Sequence, residues 1–328
     1  MTDFKTIFGK NIRLQTSDLT MSTATEGELF YSDTDKEFKV GINVNAWASG
    51  GNMNQARRSP AGCRTQTAGM AFGGFSGSTA LALCEEYNGS AWSEVADFNT
   101  ARGKIASASA GTQTAALAFG GASAEPSNPA IVGIAEEWDG SSWTESGDLN
   151  TARYSLSGAG TQTAGLGYGG YITGTSINNS EEYNGTSWTE GDNLGTAKSA
   201  MASFGTQTAA VAALGTDDST VQNASEEYDG TSWTAGNNVT YTSQNAGGAG
   251  VQTNGIVFGG NTNVTTTSGY DGTNWSARPA MGTGRDYLSG AGTAAAALGF
   301  GGNAPGDAGL VTTEEFTGTV TLKTVTDS

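Results

Sequence analysis

The sequence predicts an all-β protein: a β-propeller with six blades of four antiparallel strands, preceded by a short N-terminal β-hairpin. Three observations support this fold. A unit of ~45 residues recurs six times, each unit divides into four short strand-like segments, and 50 of the 328 residues are glycine. A unit this short cannot bury its own core, so consecutive units must pack against one another. Glycine at this frequency, without a three-residue period, is typical of short strands joined by tight turns.

Two markers define the repeat. A tryptophan recurs at intervals of 42 to 51 residues, at Trp47, Trp92, Trp143, Trp188, Trp233 and Trp275. A glycine doublet or a near match recurs at Gly73-Gly74, Gly120-Gly121, Gly169-Gly170, Leu214-Gly215, Gly259-Gly260 and Gly301-Gly302. Because both markers recur six times in the same order, we expect six blades.

The unit spanning 150–190 shows the four predicted strands. The first, 155–160, is small and glycine-rich, which fits the crowded centre of a ring. The second, 164–168, is apolar and ends at the doublet. The third carries Glu-Glu-Tyr and the fourth carries Trp188. No segment shows a convincing helical period, which supports the all-β prediction.

Two turns in each unit are nearly uniform. Thr161-Gln162-Thr163 joins the first two strands, and Asn184-Gly185 joins the last two. The Asn-Gly pair predicts a type I′ hairpin turn, in which both central residues have positive φ. Both turns are expected on one face of the ring.

The loops between the second and third strands are expected on the opposite face, and they differ in every unit. Divergent loops on a common frame are what a recognition surface requires, although drift in unconstrained loops explains them too. The candidate binding residues on this face are Phe75, Tyr171, Asp217, Asp218 and Asp307.

A charge pattern links two strands of each unit. Five units open with Arg or Lys, and the same five carry Glu-Glu on the third strand. Unit five lacks both, with Ser243 and Ser268-Gly269 in their places. The joint loss predicts a partly buried ion pair within each blade, whereas two independent surface positions are the alternative. The structural residues predicted from this pattern include Arg102, Arg153, Glu137 and Glu182.

The composition and the repeats argue against catalysis. There are no histidines, so the commonest general base and metal ligand are absent, and no cofactor or metal is predicted. Paired carboxylates can hydrolyse glycosides, but five copies at one structural position indicate a structural role. Trp143 and Trp188 are predicted to pack between blades, with stacking on sugars as the alternative. Cys63 and Cys84 are expected to be buried in strands.

The net charge of −17 disfavours binding to nucleic acid. The first ten residues contain no apolar signal-peptide core, and no stretch of 18 apolar residues predicts membrane insertion. A protein made in the cytoplasm is therefore expected.

The repeat resembles the kelch repeat. The matching features are an apolar strand that ends in Gly-Gly, a Tyr and a Trp five residues apart, and Thr-Ala-Arg at 100–102 and 151–153. The last unit departs from the pattern, with Phe316 and Thr321 at the Tyr and Trp positions. The resemblance implies an interaction scaffold. The copper site of kelch enzymes similar to galactose oxidase needs histidine, so that activity is not implied.

The N-terminal segment carries a second resemblance. Residues 27–32 with 37–40 resemble the hairpin that precedes variable domains in bacteriophage tail-fibre proteins, and Gly/Thr/Asn-rich kelch arrays after such a hairpin are similar to proteins of marine phages. The chain is accordingly divided into an attachment segment, 1–45, and a propeller, 46–328.

This resemblance implies a non-enzymatic virion protein, either a tail fibre or a capsid decoration. Its N-terminal region would bind other virion proteins, and its propeller would bind a host glycan or envelope protein. Homo-oligomers are common among such fibres. The alternative is a cellular kelch scaffold that binds protein partners.

The chain ends allow two closures of the ring. In the first, the strand with Trp47 completes blade six beside residues 285–316. The predicted strand 320–325 could take the same position. In the second, residues 27–49 form a seventh, incomplete blade. Six blades are favoured because joining both chain ends in one blade removes the weak point of an open ring.

Overall fold

The computed structural model describes residues 13–15, 29–32, 36–112, 114–124, 130–304 and 309–324. The chain divides into two compact units: Trp47–Phe316, and Met1–Ala46 with Thr317–Ser328. Over the described residues the regular structure is β-strand, apart from one short 3-10 turn at Asn261–Asn263. The all-β prediction is confirmed.

The chain forms a β-propeller of six four-stranded antiparallel blades, as predicted. In blades one to five the strands pair in sequence order. These strands are Ala61–Thr65, Ala68–Phe72, Cys84–Tyr87 and Trp92–Val95 in blade one; Ala106–Ser107, Ala116–Phe119, Ala135–Trp138 and Trp143–Glu145 in blade two; Ser157–Thr161, Ala164–Tyr168, Ser180–Tyr183 and Trp188–Glu190 in blade three; Ala202–Thr206, Ala209–Ala213, Ser225–Tyr228 and Trp233–Ala235 in blade four; and Gly247–Val251, Asn254–Phe258, Thr267–Tyr270 and Trp275–Arg278 in blade five.

Blade six is built from both parts of the chain. Its strands are, in spatial order, Asp286–Thr293, Ala296–Asn303, Thr313–Thr324 and Glu37–Ser49. Trp47 therefore lies in the fourth strand of blade six, as predicted. The seven-blade alternative is wrong because residues 37–49 supply this missing strand. Residues 320–324 do not compete for the place, since they continue the third strand.

The first strands of consecutive blades contact one another around a closed ring, in which blade six contacts blade one. Small residues are required there because the backbones approach closely. A Cβ atom on Gly158 would lie 2.5 Å from the carbonyl oxygen of Ser107, and one on Gly290 would lie 2.4 Å from that of Gly248. The glycine-rich first strand of each repeat thus follows from its central position.

In five blades, a buried ion pair joins the segment before the first strand to the third strand. The Arg153 guanidinium lies 2.9 Å from Glu181, and both side chains are fully buried. Burial lowers the pKa of Arg153, and the charge of Glu181 opposes this shift. Among the described residues, equivalent pairs are Arg57–Glu85, Arg102–Glu136, Lys198–Glu226 and Arg285–Glu314.

The partner of the cation is the first glutamate of each Glu-Glu pair. Glu137 and Glu182, named from the sequence, are second glutamates and have a different role. Each accepts a hydrogen bond of 2.6 Å from a tyrosine hydroxyl of the next blade, Tyr183 and Tyr228 respectively. Each Glu-Glu pair of this kind therefore binds its own blade through one carboxylate and the next blade through the other.

One exception in the repeat, between blades five and six, obeys the same rule. Blade five has Gly269 in place of the second glutamate, and the next blade has Phe316 in place of the tyrosine. The hydroxyl donor and its carboxylate acceptor are therefore lost together. Blade five also lacks the ion pair, and the Ser268 hydroxyl instead accepts a hydrogen bond from Thr240.

The aromatic residues pack between blades, as predicted. Trp188 of blade three contacts Phe119 of blade two, with ring centroids 4.7 Å apart. Trp143 of blade two contacts Phe72 of blade one at 5.2 Å. Both cysteines are buried in strands.

The tryptophan Nε1 atoms have a repeated acceptor, which is a hydroxyl at the residue before the Glu-Glu position of the preceding blade. Trp233 donates to Ser180 at 3.0 Å, and Trp92 donates to Thr313 at 3.0 Å. Blade two has Ala135 at this position. The buried Nε1 of Trp188 accordingly has no acceptor among the described residues.

We expect Ala135→Ser to raise the free energy of unfolding by about 1 kcal/mol, because it supplies the acceptor that Trp188 lacks. The matched variant Ser180→Ala removes the acceptor of Trp233 and should lower stability by about the same amount. Urea denaturation monitored by tryptophan fluorescence measures both. If Ala135→Ser left the midpoint unchanged while Ser180→Ala lowered it, the added hydroxyl would not reach Trp188.

The Thr-Gln-Thr turns connect the blades to one another. The Gln162 side-chain amide donates to the carbonyl oxygen of Trp138 in the preceding blade at 2.8 Å. Gln207 and Gln252 repeat the contact at 2.8 Å, and Gln66 donates to Phe316 at 2.7 Å. The uniformity of this turn therefore has a structural cause.

The Asn/Asp-Gly turn differs from the prediction. Tyr183 pairs with Trp188, so the loop contains four residues rather than two. Only the glycine has positive φ, 90° at Gly185, whereas a type I′ turn requires two such residues. The Asn184 side chain stabilises the loop instead, since it accepts hydrogen bonds from the amides of Thr186 and Ser187. The type I′ prediction is wrong.

In the smaller unit, Arg13–Gln15 pairs in parallel with Leu29–Ser32, and Leu29–Ser32 pairs antiparallel with Glu37–Val40. The second pairing is the predicted N-terminal hairpin. In the part of the chain that the structure describes, no helix has the length and apolar character needed to span a bilayer.

Candidate functional site

The first strands enclose an axial channel. Its middle, a cavity of about 110 Å³, is lined by small residues that include Ser107 and Ser203. On the face of the uniform turns it opens into a cavity of about 380 Å³. On the face of the variable loops it opens into a cavity of about 90 Å³. The second opening is the one surrounded by loops that differ from blade to blade.

A series of backbone hydrogen bonds runs along the rim of this opening. We define the rim as the residue two positions after the unit-opening Arg, Lys or Ser of each blade: Ser59, Lys104, Ser155, Ala200, Asn245 and Tyr287. All six have φ between 51° and 56°. Such a conformation costs about 1 kcal/mol for a residue with a Cβ atom.

Contacts between blades offset this cost. The Ser59 amide donates to the Tyr287 carbonyl at 2.7 Å and thereby joins blade one to blade six. The amides of Lys104, Ser155, Ala200 and Asn245 each donate to the carbonyl oxygen of the preceding rim residue. The rim side chains are therefore held in defined directions by the backbone.

One sector of the rim carries cations and aromatic rings. The Arg58 guanidinium carbon lies 5.8 Å from the Tyr287 ring centroid, and the Lys104 Nζ lies 5.8 Å from the same centroid. Lys104 Nζ is also 5.3 Å from the Tyr154 ring. Tyr171, a residue predicted from the sequence, lies beside Tyr154 with ring centroids 5.4 Å apart.

We call these five residues, Arg58, Lys104, Tyr154, Tyr171 and Tyr287, the rim sector. All five are half-buried, so each is fixed on one side and reachable by solvent on the other. Tyr171 is held by backbone bonds to Tyr154 in both directions, at 2.7 and 3.1 Å. It begins a small hairpin of Tyr171–Ile172 and Thr175–Ser176, which the sequence did not predict.

Phe75, a second candidate from the sequence, is fully buried. It exchanges backbone hydrogen bonds with Arg58 and lies 5.8 Å from its guanidinium carbon. It begins the equivalent hairpin in blade one, Phe75–Ser76 with Thr79–Ala80. Its ring therefore supports Arg58 and does not face solvent.

The acidic candidates make contacts within the loops. The Asp217 carboxylate accepts hydrogen bonds from the amides of Ser219 and Thr220, which lower its pKa. Asp218 accepts bonds of 2.6 Å from both the amide and the hydroxyl of Ser176, and so joins the loops of blades three and four. Asp307 lies outside the described residues.

Asp286 adjoins the rim sector, one residue before Tyr287. Its Oδ1 atom is buried and has no hydrogen-bond partner among the described residues. Burial raises its pKa to about 6, while its own backbone amide and the charge of Arg58 oppose the shift. The Asp286 carboxyl group therefore lies close enough to Arg58 for their charges to interact.

The raised pKa of Asp286 has a measurable consequence. Because it exceeds the ordinary value of 3.8, the folded protein retains a proton that the unfolded chain releases. The resulting stability is present below pH ~4 and is lost as the pH rises through ~6. Asp286→Asn should therefore gain about 1 kcal/mol over wild type between pH 4 and pH 7, after allowance for solvent screening. Urea midpoints at several pH values test this, and parallel profiles for the two proteins would contradict it.

The rim sector combines aromatic rings with cationic groups, an arrangement that can contact a ligand. Among the described residues, no group of three His, Cys, Asp or Glu side chains is placed to hold a metal ion. The Glu-Glu carboxylates occur at the same position in five blades. They accept hydrogen bonds within a blade, as Glu181 does, or from the next blade, as Glu137 and Glu182 do. Aromatic rings next to cationic groups can instead stack on a ligand and bind its charge.

Sequence reasoning identified Tyr171 but missed the other four residues of the rim sector. The sequence pattern that marks these residues lies one or two positions after the residue that opens each unit. Units four and five have small or neutral residues there, Ser199-Ala200 and Gln244-Asn245, whereas unit one has Arg58 and unit two has Lys104. Aligning the units at this position would have found these residues without a structure.

Comparisons with known proteins support the fold. No protein-family model matches the sequence, and no curated protein matches it. The solved structure of YjhT, also a propeller, is similar to this chain with a TM-score of 0.68 and 12% sequence identity, covering 83% of this chain and 99% of YjhT. At this identity the likeness extends to the fold alone.

Proposed function

We propose that the protein is a non-enzymatic bacteriophage virion protein whose propeller binds a host-surface ligand through the variable-loop face. The observation that carries the proposal is the difference between the two faces. On the turn face, glutamine side chains of the uniform turns are used in contacts between blades. On the loop face, the rim sector presents half-buried aromatic and cationic side chains around a channel opening.

The non-enzymatic part is supported by the use of the acidic residues. Glu181 and its equivalents neutralise buried cations. Glu182 accepts a hydrogen bond from a tyrosine hydroxyl of the next blade, as do its equivalents in other blades. A general acid or base must be able to exchange protons with a substrate, and these carboxylates lie in contacts that hold the blades. The chain also contains no histidine.

The virion part is supported by the sequence resemblances. The segment that resembles a phage-fibre hairpin contains two strands, Leu29–Ser32 and Glu37–Val40, that pair as a hairpin. The kelch-like repeats that follow form the six blades. In this proposal the N-terminal region binds other virion proteins, and the propeller remains available to the host.

Adsorption of the full-length protein to host cells tests the binding part. We expect Lys104→Gln combined with Tyr287→Ser to reduce cell-bound protein at least tenfold. The control is Asn184→Asp on the turn face, because three other units have Asp at this position and keep the same loop. If both variants adsorbed like wild type, the rim sector would not be the binding surface.

Immunogold electron microscopy of phage particles tests the virion part. Labelled tails or capsids would support it. Unlabelled particles, together with recovery of intracellular protein partners, would overturn it in favour of a cellular scaffold.

A further inference from the structure

The fourth strands form the outer edges of the blades, and in blades one to three these edges carry two protective features. The carbonyl oxygen of the edge tryptophan accepts a hydrogen bond of 3.0 to 3.1 Å from an asparagine side chain. The pairs are Asn54 with Trp92, Asn99 with Trp143, and Asn150 with Trp188. Each of these strands also carries an exposed glutamate: Glu94, Glu145 and Glu190. Charges and occupied backbone groups keep an edge from pairing with another chain.

In the part of the chain that the structure describes, the outer edge of blade four has neither feature. Gly195 stands at the asparagine position. Its amide donates to Glu226 at 2.6 Å, but it has no side chain to reach the carbonyl of Trp233. Ala235 stands at the glutamate position, whereas the edge strand of blade five, which also lacks the asparagine, ends in Arg278. Trp233 is half-buried, while the tryptophans of blades one, two, three and five are buried.

The backbone of this edge directs hydrogen-bonding groups away from the blade. The Gly236 amide donates to the Ser225 carbonyl at 2.9 Å, which marks a hydrogen-bonded pair. Because such pairs alternate along an antiparallel ladder, the amide and carbonyl groups of Ala235 and Trp233 point away from the third strand. Thr234 and Ala235 are exposed. An added strand can therefore pair with this edge, and its N–H groups would take the place of the asparagine donor.

An acidic group at the same edge selects the charge of the added strand. The exposed Asp192 carboxylate accepts a hydrogen bond from the Trp233 amide at 3.3 Å. The equivalent residue beside blade three is Gly147, so this charge is a feature of the edge of blade four. A lysine or arginine can pair with Asp192, and the net charge of −17 attracts a basic segment.

A second copy of the propeller fits this edge less well than a single extended segment. Two copies would bring two net charges of −17 together. The edge strand Trp233–Ala235 has three residues and lies on the outer side of a ring. Two such surfaces touch over a small area, whereas stable interfaces bury about 1,200–2,000 Å². A single strand follows the edge without these costs.

We propose that the outer edge of blade four binds an extended basic segment of a partner protein by β-strand addition. Backbone N–H groups of the segment donate to the carbonyl of Trp233, and a lysine or arginine contacts Asp192. Main-chain hydrogen bonds supply the affinity in this mode of recognition, and side-chain contacts supply the specificity. The site lies apart from the rim sector and does not depend on the proposed host-binding function.

Isothermal titration calorimetry of the full-length protein tests the ligand class. The probes are the capped peptide Thr-Lys-Val-Thr-Lys-Thr, the same peptide with glutamate for both lysines, and the lysine peptide N-methylated at every residue. We expect the lysine peptide to bind at least tenfold more tightly than either of the others. Equal affinity for the glutamate peptide would overturn the charge assignment. Equal affinity for the methylated peptide would overturn strand addition, and no binding of the lysine peptide would overturn both.

Variants locate the site. Gly195→Asn restores the side chain that blades one to three have, and it should weaken binding of the lysine peptide at least tenfold. A Cβ atom there would lie 3.2 Å from Glu226 Oε2, so a small shift accommodates it. Asp192→Asn keeps an acceptor and removes the charge, so it should abolish the preference for lysine over glutamate and serves as the second test if Gly195→Asn does not fold. Thr144→Ala, on the exposed edge of blade two, is the control and should change nothing. Wild-type affinity in folded Gly195→Asn, or an undiminished lysine preference in Asp192→Asn, would overturn the site.

Discussion

Replacing Arg153 by alanine should lower the free energy of unfolding by about 3–5 kcal/mol. Arg153 and Glu181 are fully buried, and the pair is 2.9 Å apart. Removing the guanidinium leaves the Glu181 carboxylate buried without its counter-ion, although it still accepts hydrogen bonds from Asn150 and the Thr151 amide. Urea denaturation monitored by circular dichroism measures the loss.

Two further variants isolate the ion pair. Arg153→Met with Glu181→Gln removes both charges and keeps an oxygen acceptor for Asn150 and the Thr151 amide, so it should recover much of the stability that the single change loses. Blade five, with Ser243 and Ser268, is a natural example of a blade without the pair. If Arg153→Ala denatured at the wild-type urea concentration, the buried pair would contribute nothing to stability.

Replacing Trp47 by alanine should destabilise the propeller by about 3 kcal/mol. Trp47 contacts Phe258 and Phe316, with ring centroids 4.8 and 5.3 Å away, and donates a hydrogen bond to Thr267. It belongs to the strand that completes blade six. Its loss should therefore loosen the blade in which the two parts of the chain meet.

The control for this change is Trp47→Phe, which keeps one ring on Phe258 and Phe316 and loses the hydrogen bond and part of the packed area. It should cost about 1–2 kcal/mol, less than Trp47→Ala. Thermal denaturation of the three proteins gives the order wild type, Trp47→Phe, Trp47→Ala. A wild-type melting temperature for Trp47→Ala would mean that the contacts of Trp47 with Phe258, Phe316 and Thr267 contribute nothing to stability.

The fold was predictable because the same sequence pattern repeats six times within one chain. Six copies of the tryptophan and of the glycine doublet set the number of blades. The loss of both the cation and the glutamate in unit five, where Ser243 and Ser268 stand, indicated the ion pair. The choice between the two glutamates was not predictable from that loss, since blade five lacks both. A second joint loss marks the tyrosine contact: Gly269 replaces the glutamate of blade five, and Phe316 replaces the tyrosine of blade six. Because the two positions lie in consecutive units, a comparison within single units does not detect it.

The binding surface was predictable only in part. Loop divergence identified the face, but it does not distinguish side chains that face solvent from side chains that hold a loop. Phe75 is buried under Arg58, and Asp218 bonds to a neighbouring loop, because exposed loops also need internal contacts. The backbone rim places Lys104 and Tyr287 near each other although they lie in blades two and six. No spacing in the sequence reveals that proximity.

The measurement that most directly tests the central claim is hydrogen–deuterium exchange of the full-length protein with and without purified host surface polysaccharide. We expect slower exchange at 57–59, 103–104, 154–155, 171–172 and 286–287, with no change in the Thr-Gln-Thr and Asn-Gly turns. Slower exchange confined to those turns or to residues 29–49, with the rim unchanged, would contradict the assignment of binding to the variable-loop face.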